Sequence, residues 1–231
     1  MSLQRQLILH VLLLGGIVAF FEATDLDLTV QDRFYQGNRR WLIDDHAKVP
    51  RLLLYTGPKA LLIVLGAGCF VAFVASYKVH RLRAFRLPCL QVALALAAIP
   101  LTVASLKAFT NVYTPNKVLR YGGRQPYVKV LGQYPTPVKW SSRGRGWPAG
   151  HASGGFALMI LYHALRRQRW RVLGLCLGLA VGWAMGLYQM LNGEHYLSHT
   201  VVTMSGAWIL VLVIALATRR RAAAPAAPAG P

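Results

Sequence analysis

Two polar stretches of the sequence carry residues whose types and spacing suit chemistry on a phosphate group. The longer one contains Lys117 and Arg124, seven positions apart, and ends in Pro148-Ala149-Gly150-His151 directly before an apolar run. The shorter one, residues 192–199, contains two histidines four positions apart. Cations stabilise the non-bridging oxygens of a phosphate, and an imidazole can act as nucleophile or general acid. Together they predict a site for phosphoryl transfer.

Each of these residues has a role that its chemistry allows. Lys117 and Arg124 would bind the phosphate oxygens. Gly150 opens a helix, so backbone N–H groups and the positive end of the helix dipole point at an anion there, and glycine permits a close approach. His195 would form a phosphohistidine, and His151 would protonate the leaving oxygen and later activate water.

Other interpretations of the same residues stay open at this point. The two cations also suit binding of membrane headgroups, and His151 could simply neighbour a helix cap. His195 and His199 have the spacing of a pair of metal ligands on a helix. Glu194 is the single acidic residue nearby, and the surrounding cations oppose a metal ion. We therefore expect neither a metal nor another cofactor.

Composition indicates that these residues belong to a membrane protein. The chain is 55% hydrophobic with a mean hydropathy of +0.40, and its apolar residues fall in blocks near the ~20 residues that cross a bilayer as a helix. The predicted fold is all-α, with six transmembrane helices in one bundle over residues 1–221 and a disordered Ala/Pro tail over 222–231. The predicted spans are 7–21, 52–77, 87–109, 152–165, 172–191 and 200–218.

The first of these spans has one alternative interpretation, a cleaved signal peptide. No clean small-x-small cleavage site follows it, because Phe20, Phe21 and Glu22 intervene. We therefore expect a retained first helix.

The net charge of +19 has an explanation in membrane topology. Three basic clusters stand in short gaps between or after the apolar runs, at 78–86, 166–171 and 219–221. Such clusters face the cytoplasm, which puts both polar stretches on the opposite face of the membrane. No nucleic-acid recognition module accompanies the charge, so we expect no nucleic-acid partner. The pattern favours a bacterial inner-membrane protein whose active site faces the periplasm.

Residues 22–50 form a polar loop that holds six of the seven acidic residues of the chain. A solvated loop or an interfacial helix accounts for it. The alternative is a lid over the basic central loop, residues 110–150, attracted by opposite charge.

The first two candidate motifs resemble those of the type 2 phosphatidate phosphatase superfamily, integral-membrane lipid phosphatases related to vanadium haloperoxidases. The three family motifs are K-x6-R-P, P-S-G-H and S-R-x5-H-x3-D. Lys117-x6-Arg124 is similar to the first, with Gln125 inserted before Pro126, and residues 148–151 are similar to the second, with Ala in place of Ser. The resemblance covers about residues 100–215.

The third motif departs from the family pattern at two positions. His195 matches the nucleophilic histidine, Gln189 stands where the family has Arg, and His199 stands where it has Asp. The resemblance therefore assigns Gln189 to the phosphate site. It assigns His199 to positioning His195 through a ring nitrogen.

The resemblance implies metal-independent hydrolysis of a phosphate monoester or pyrophosphate on a lipid, through a phosphohistidine. The partners would be the bilayer and a phosphorylated lipid of the polyprenyl pyrophosphate, lipid A phosphate or phosphatidate type. Two alternatives remain: a non-catalytic anionic-lipid binder or transporter that keeps the phosphate site, and a phosphotransferase that passes the phosphate to a second lipid.

Overall fold

The computed structural model describes residues 1–44, 47–135 and 143–223, with side chains to residue 218 in the last range. These residues form helices and loops, and no β-strand occurs among them. The predicted tail lies outside the described residues from position 224 onward. The α-helices are α1 (Leu3–Ala23), α2 (Leu26–Asp32), α3 (Lys48–Arg51), α4 (Gly57–Ala75), α5 (Arg86–Phe109), α6 (Gly150–Ala157), α7 (Leu161–Ala164), α8 (Gln168–Leu191) and α9 (Leu197–Ala223).

Five helical segments of the described chain are long and apolar enough to cross a membrane. Large apolar side chains cover their outer surfaces; Leu12 is 67% exposed and Val64 69%. Such surfaces suit lipid, where every backbone polar group must be paired within the helix. The prediction of an all-α membrane protein is confirmed to this extent. The segments are Leu3–Ala23, Lys48–Ala75, His80–Phe109, Gln168–Leu191 and Leu197–Thr218.

The remaining predicted span, 152–165, is a buried helical segment at the centre of the bundle. It consists of α6, a 3-10 turn (Leu158–Ile160) and α7, together about 22 Å long at 1.5 Å per residue. Phe156 and Ile160 are fully buried in the main core. The segment is short and moderately apolar because protein, rather than lipid, surrounds it.

Glycines allow α8 to lie directly against this central segment. A Cβ at Gly155 would lie 2.6 Å from the Gly182 Cα, and a Cβ at Gly182 would overlap the ring of Phe156. Further along, Gly178 lies against Met159 and Gly174 against Leu161. The pairing runs backward along α8, so the two elements are antiparallel.

This antiparallel packing brings one end of several helices together. His151 at the start of α6 lies near the end of α8, where residues 192–196 lead into α9. The end of α5 is also here, since Lys107 approaches Gly150. We call this the site end of the bundle. The turns 78–86 and 166–171 lie at the opposite end.

The segment of residues 25–44 crosses the site end and is bonded to the linker between α8 and α9. The Asp27 carboxylate accepts hydrogen bonds from the backbone N–H and hydroxyl of Ser198, at 2.8 and 2.5 Å. Gln31 donates its side-chain N–H to the carbonyl of Met190 at 2.9 Å. The segment therefore fixes the linker at both of its ends.

Opposite charge also ties the acidic loop to the central loop, as the alternative of a lid would require. The Arg120 guanidinium donates two hydrogen bonds to Asp32, at 2.8 and 2.7 Å. Lys129 lies 3.0 Å from Asp25 and donates to the carbonyl of Thr24. These contacts hold residues 25–44 over the central loop.

Candidate active site

The three histidines singled out in the sequence lie together at the site end. His195 Nδ1 is 3.3 Å from His199 Nδ1, and the ring centroids of His195 and His151 are 5.6 Å apart. His195 and His199 are 2% and 1% exposed. His195 precedes α9 and His199 lies in its first turn, so the spacing of four places both rings on one side.

Two ring nitrogens in this cluster are buried and have no hydrogen-bond partner among the described residues: His195 Nε2 and His151 Nδ1. A contact between two Nδ1 atoms needs one donor and one acceptor. A His195 that donates from Nδ1 to His199 keeps its lone pair on Nε2. Buried polar atoms are normally paired, so these two nitrogens mark a place for a polar ligand.

The surroundings disfavour the protonated form of both facing histidines. Burial lowers the pKa of His195 well below its usual value, and His199 and Lys107 lower it further. Burial, with smaller effects of Lys107 and Lys59, lowers the pKa of His151 to about 4. A neutral imidazole is the form that can attack phosphorus.

A polar cavity of about 220 Å³ opens beside His151. Its walls include Gln189, which the sequence assigned to the phosphate site, and Arg51, which the sequence analysis did not consider. His195 does not line this cavity, and its ring lies next to that of His151. The other walls come from Tyr55, Tyr188, Asn192 and Glu194.

An apolar cavity of about 310 Å³ lies between α4, α5 and α6 and shares Tyr55 and His151 with the polar cavity. Lys59 and Gly150 line it close to His151, and its remaining walls are mostly apolar. The side chain of His151 therefore stands between a polar space and an apolar space.

Tyr55 reaches His151 from a π-helical turn, Leu52–Thr56, with ring centroids 4.8 Å apart. Pro58 follows this turn and has no N–H to donate to the carbonyl four residues earlier. The loss of that bond favours a wider local helix. The local sequence thus produces the π-helical turn, and this turn places the ring of Tyr55 in the wall of the site.

Lys107, which the sequence analysis did not assign, lies beside the start of α6, at the residue that precedes His151 in the sequence. Its Nζ lies 3.4 Å from the position that a Cβ of Gly150 would take, and the side chain is half-buried. Its charge acts on His151, His195 and Glu194. The ammonium of Lys107 thus lies next to Gly150, where the sequence predicted the approach of an anion.

Lys117 and Arg124 lie on a loop beside the site, with exposed side chains. The carbonyl of Lys117 accepts hydrogen bonds from the backbone N–H of Arg124 and of Gln125, both at 2.9 Å, which closes a tight turn. Neither side chain lines the polar cavity at His151. The cationic charge that acts on the facing histidines comes from Lys107 and Lys59.

The linker that carries His195 is fixed from several sides. Asn116 donates its side-chain N–H to Glu194 at 2.6 Å and its backbone N–H to the carbonyl of Gly193 at 2.9 Å. The carbonyl of Gln189 accepts from the backbone N–H groups of Glu194 and His195. Among the described residues, no group of three or more His, Cys, Asp or Glu side chains could share a metal ion.

Comparison with protein families agrees with this arrangement. The sequence model of the PAP2 superfamily matches residues 88–223, which is more than half of the chain. The chain belongs to the PAP2 superfamily. Its members are phosphatases, and this is the superfamily of type 2 phosphatidate phosphatases that the motifs resemble. No curated protein and no solved structure matched the chain.

The PAP2 match contains Lys107 and all three histidines, whereas residues 25–44, Arg51 and Tyr55 lie outside it. Lys107 has a sequence signal of its own. Lys107-x6-Thr114-Pro115 has the spacing of the first PAP2 motif, with proline directly after the seventh position and Thr in place of Arg. Of the two lysines with this spacing, Lys107 is the one that lies beside Gly150 at the start of α6.

The second and third PAP2 motifs meet through their backbones. The N–H of Ala149, in the position of the family serine, donates to the carbonyl of His199 at 3.2 Å, and Thr203 donates to both Ala149 and His199 carbonyls. These bonds couple the start of α6 to the first turn of α9. They fix His151 relative to His195.

Proposed function

We propose that this PAP2 protein is a metal-independent lipid phosphatase that forms a phosphohistidine at His195. The observation that carries the proposal is a pair of buried nitrogens, His195 Nε2 and His151 Nδ1, which have no partner among the described residues and lie on rings 5.6 Å apart. One supplies a nucleophile and the other a proton donor, and a phosphate between them would satisfy both. Lys107, half-buried beside them, supplies the balancing charge.

In the first step His195 Nε2 attacks phosphorus, the P–N bond forms, and the P–O bond to the lipid breaks. The negative substrate raises the proton affinity of His151, which takes up a proton from water as the substrate binds and then donates it to the departing oxygen. The imidazole of His195 then carries a positive charge. Its Nδ1–H remains bonded to His199, which disperses that charge.

In the second step a water molecule attacks the phosphorus of the phosphohistidine. His151 accepts a proton from this water as the P–N bond breaks. Inorganic phosphate leaves, His195 is again a neutral imidazole, and His151, now protonated, releases its proton to water once the anion has left. The same residue thus acts as acid in one step and as base in the other.

The two cavities at His151 support a lipid rather than a soluble phosphate ester as the substrate. An apolar chain fits the cavity between α4, α5 and α6, and a phosphorylated headgroup fits the polar cavity with Arg51 and Gln189. Polyprenyl pyrophosphate, lipid A phosphate and phosphatidate all combine an apolar chain with a phosphorylated headgroup. Lys117 and Arg124 would serve at the rim, where they meet the headgroup before it reaches Lys107.

We further propose that the central segment of α6 and α7 counts as a sixth crossing. The basic turns then face the cytoplasm, and the site end faces the periplasm of a bacterial inner membrane. A site on that face favours polyprenyl pyrophosphate or lipid A as the substrate.

The test is phosphate release by the purified protein in detergent, with a chelator present, from each of the three lipid classes. Replacing His195 by Ala should abolish turnover, and His151→Ala should lower kcat by about 10²–10⁴ because the acid and base are lost. His80→Ala is the matched control, since His80 is exposed at the opposite end of the bundle.

Two outcomes would contradict the proposal. If turnover survives in His195→Ala, the reaction does not pass through a phosphohistidine at His195. A wild-type protein that binds these lipids without releasing phosphate is an anionic-lipid binder, and its binding should then depend on the cations and not on His195.

A further inference from the structure

A third cavity, of about 390 Å³, lies next to the polar cavity and shares the wall residue Asn192 with it. Two arginines, Arg39 and Arg40, face this space together with Trp41 and Asn116. Asp44 is the acidic residue of its lining. The proposed mechanism uses none of these side chains.

Arg39 is held in place by an unusual backbone. Gly37, Asn38 and Arg39 have φ values of 79°, 50° and 60°, in the left-handed region that non-glycine residues rarely adopt. The Arg39 Nε donates to the carbonyl of Gly122 at 2.7 Å, and its backbone N–H donates to the Tyr35 hydroxyl. Strain of this kind persists where the surroundings impose it, often at binding sites.

Neither arginine has an acidic partner among the described residues. The terminal nitrogens of Arg39 have no acceptor there, and the Arg40 side chain forms neither a hydrogen bond nor an ion pair there. Arg120, in contrast, is fully engaged with Asp32. Two adjacent guanidinium groups that bond to no carboxylate of the described residues can bind an anion through charge-assisted hydrogen bonds.

The cavity is fixed relative to the reacting histidines. A Cβ at Gly193 would overlap the indole of Trp41, so the cavity wall lies directly on the linker that carries His195. Asn116 lines the cavity and also bonds to Glu194, the residue before His195. This second space therefore adjoins the polar cavity beside His151.

We propose that the cavity of Arg39 and Arg40 binds a second anionic group of the substrate. The preferred substrate is then a lipid whose headgroup carries, besides the phosphate that is cleaved, another phosphate or a comparable acid. This inference rests on the proposed function and adds the class of headgroup. The arginines lie outside the residues matched by the PAP2 superfamily, so the preference belongs to this chain.

The experiment compares kcat/KM for two dioleoyl lipids in the same detergent. Phosphatidate has a single phosphate, and phosphatidylglycerol phosphate has a terminal phosphate and a second, diester phosphate. Wild type should prefer the second lipid. Arg40→Gln and Arg39→Asn should each lower the ratio of the two kcat/KM values by about tenfold, since each removes charge-assisted hydrogen bonds to one substrate only.

Two features of these variants separate binding from folding. Asn is tolerated in the left-handed region, so Arg39→Asn preserves the backbone conformation of the turn, although it loses the bond from Nε to the Gly122 carbonyl. Arg40 has no side-chain bond to the described protein, so Arg40→Gln removes none. Arg33→Gln is the control, because Arg33 is exposed on the same segment and does not line the cavity; its ratio should equal that of wild type.

An unchanged ratio in the Arg39 and Arg40 variants would overturn the inference, and so would an equal loss on both lipids, which indicates general attraction by surface charge.

If wild type hydrolyses neither lipid, the proposed function fails. Calorimetric titration with propane-1,3-diphosphonate and methylphosphonate then tests separately whether the cavity binds a second anion. Tighter binding of the diphosphonate that is lost in Arg40→Gln supports a second-anion site. Equal binding by both proteins overturns it. A lost diphosphonate affinity with an unchanged lipid ratio means that the cavity binds a separate anion, which overturns the claim about the substrate.

Discussion

His195 can act as a nucleophile because its two ring nitrogens have different surroundings. Nδ1 faces His199 at 3.3 Å, and Nε2 is buried without a partner among the described residues. In the proposed mechanism, a neutral ring takes the place of the family carboxylate and accepts the hydrogen bond from His195. In that role His199 would fix the tautomer of His195, but it would contribute no negative charge to the proposed phosphohistidine.

Substitution of His199 separates these two effects. His199→Ala should lower kcat by about 10²-fold or more, because the tautomer of His195 is no longer fixed. His199→Asp should keep turnover and raise the pKa of His195, since a carboxylate stabilises the imidazolium. The measurement is the pH profile of kcat/KM, whose acid limb should lie at higher pH in His199→Asp than in wild type. An Asp variant as inactive as the Ala variant would contradict this role.

Lys107 and Lys117 are rival candidates for the phosphate-binding lysine, and the structure supports Lys107. Lys107→Gln should lower kcat/KM by about 10²-fold, whereas Lys117→Gln should have a smaller effect because its side chain is exposed. Comparable losses in the two variants, or a larger loss in Lys117→Gln, would restore the sequence-based assignment.

The Lys107 variant also has an expected pH signature. Its ammonium disfavours the protonated forms of His195 and His151, which lowers the pKa of both rings. Without it both pKa values rise, so protonation of His195 sets in at higher pH. The acid limb of kcat/KM should therefore move upward in Lys107→Gln. Ionisation of the substrate is common to both proteins and does not affect the comparison.

Among the elements, α2 matters for the site although it contributes no reacting group. Asp27 is 6% exposed and accepts both a backbone N–H and a hydroxyl bond from Ser198, in the first turn of α9. Burial raises the pKa of Asp27, and the Ser198 bonds oppose that rise. Ser198 lies between His195 and His199, so this carboxylate fixes the part of the chain that orients both rings.

Asp27→Ala should lower the free energy of unfolding by about 2 kcal/mol, because two buried donors on Ser198 lose their acceptor. Thermal unfolding in detergent measures this effect. Turnover should fall as well, since the turn that carries the histidines loosens. Thr29→Ala is the matched control on the exposed side of α2, and it should change neither quantity. If Asp27→Ala has wild-type stability, the bonds between Asp27 and Ser198 do not stabilise the fold, and α2 only covers the site end.

In the molecule as a whole, the histidines of the candidate site lie at one end of the bundle and the basic turns lie at the other. α8 lies antiparallel to the central segment, from Gly182 against Gly155 to Gly174 against Leu161. The chain thus returns to the opposite end between His151 and Gln168. Although α6 and α7 are too short to meet the length of an ordinary span, they connect the two ends of the bundle.

Labelling of single cysteines tests this arrangement. The starting protein has Cys69, Cys89 and Cys176 replaced by Ala. A cysteine at Asn38 or Leu131, at the site end, should react with a membrane-impermeant thiol reagent added to intact cells with a permeable outer membrane. A cysteine at Arg81 or Arg169 should react only after the inner membrane is opened. Equal labelling of all four positions, or the reverse pattern, would contradict a periplasmic site.

The sequence by itself determined the long helices and the identity of the facing histidines. Apolar blocks such as 87–109 predict spans because hydropathy is a property of a segment and needs no knowledge of its neighbours. His195 and His199 are four positions apart at a helix start, so their proximity follows from local helix geometry. Gly150-His151 before an apolar run likewise predicted a helix start.

Only the tertiary structure decided which cation meets the histidines and what surrounds the central segment. Lys107 and Lys117 stand in similar sequence patterns, and the choice depends on the packing of α5 against α6. The segment 152–165 was predicted as an ordinary span because its apolar residues do not reveal whether lipid or protein surrounds them. The contacts of Asp27 and Arg39 with distant loops also escaped prediction. Local pattern fixes the type of an element, whereas distances between elements depend on how all of them pack.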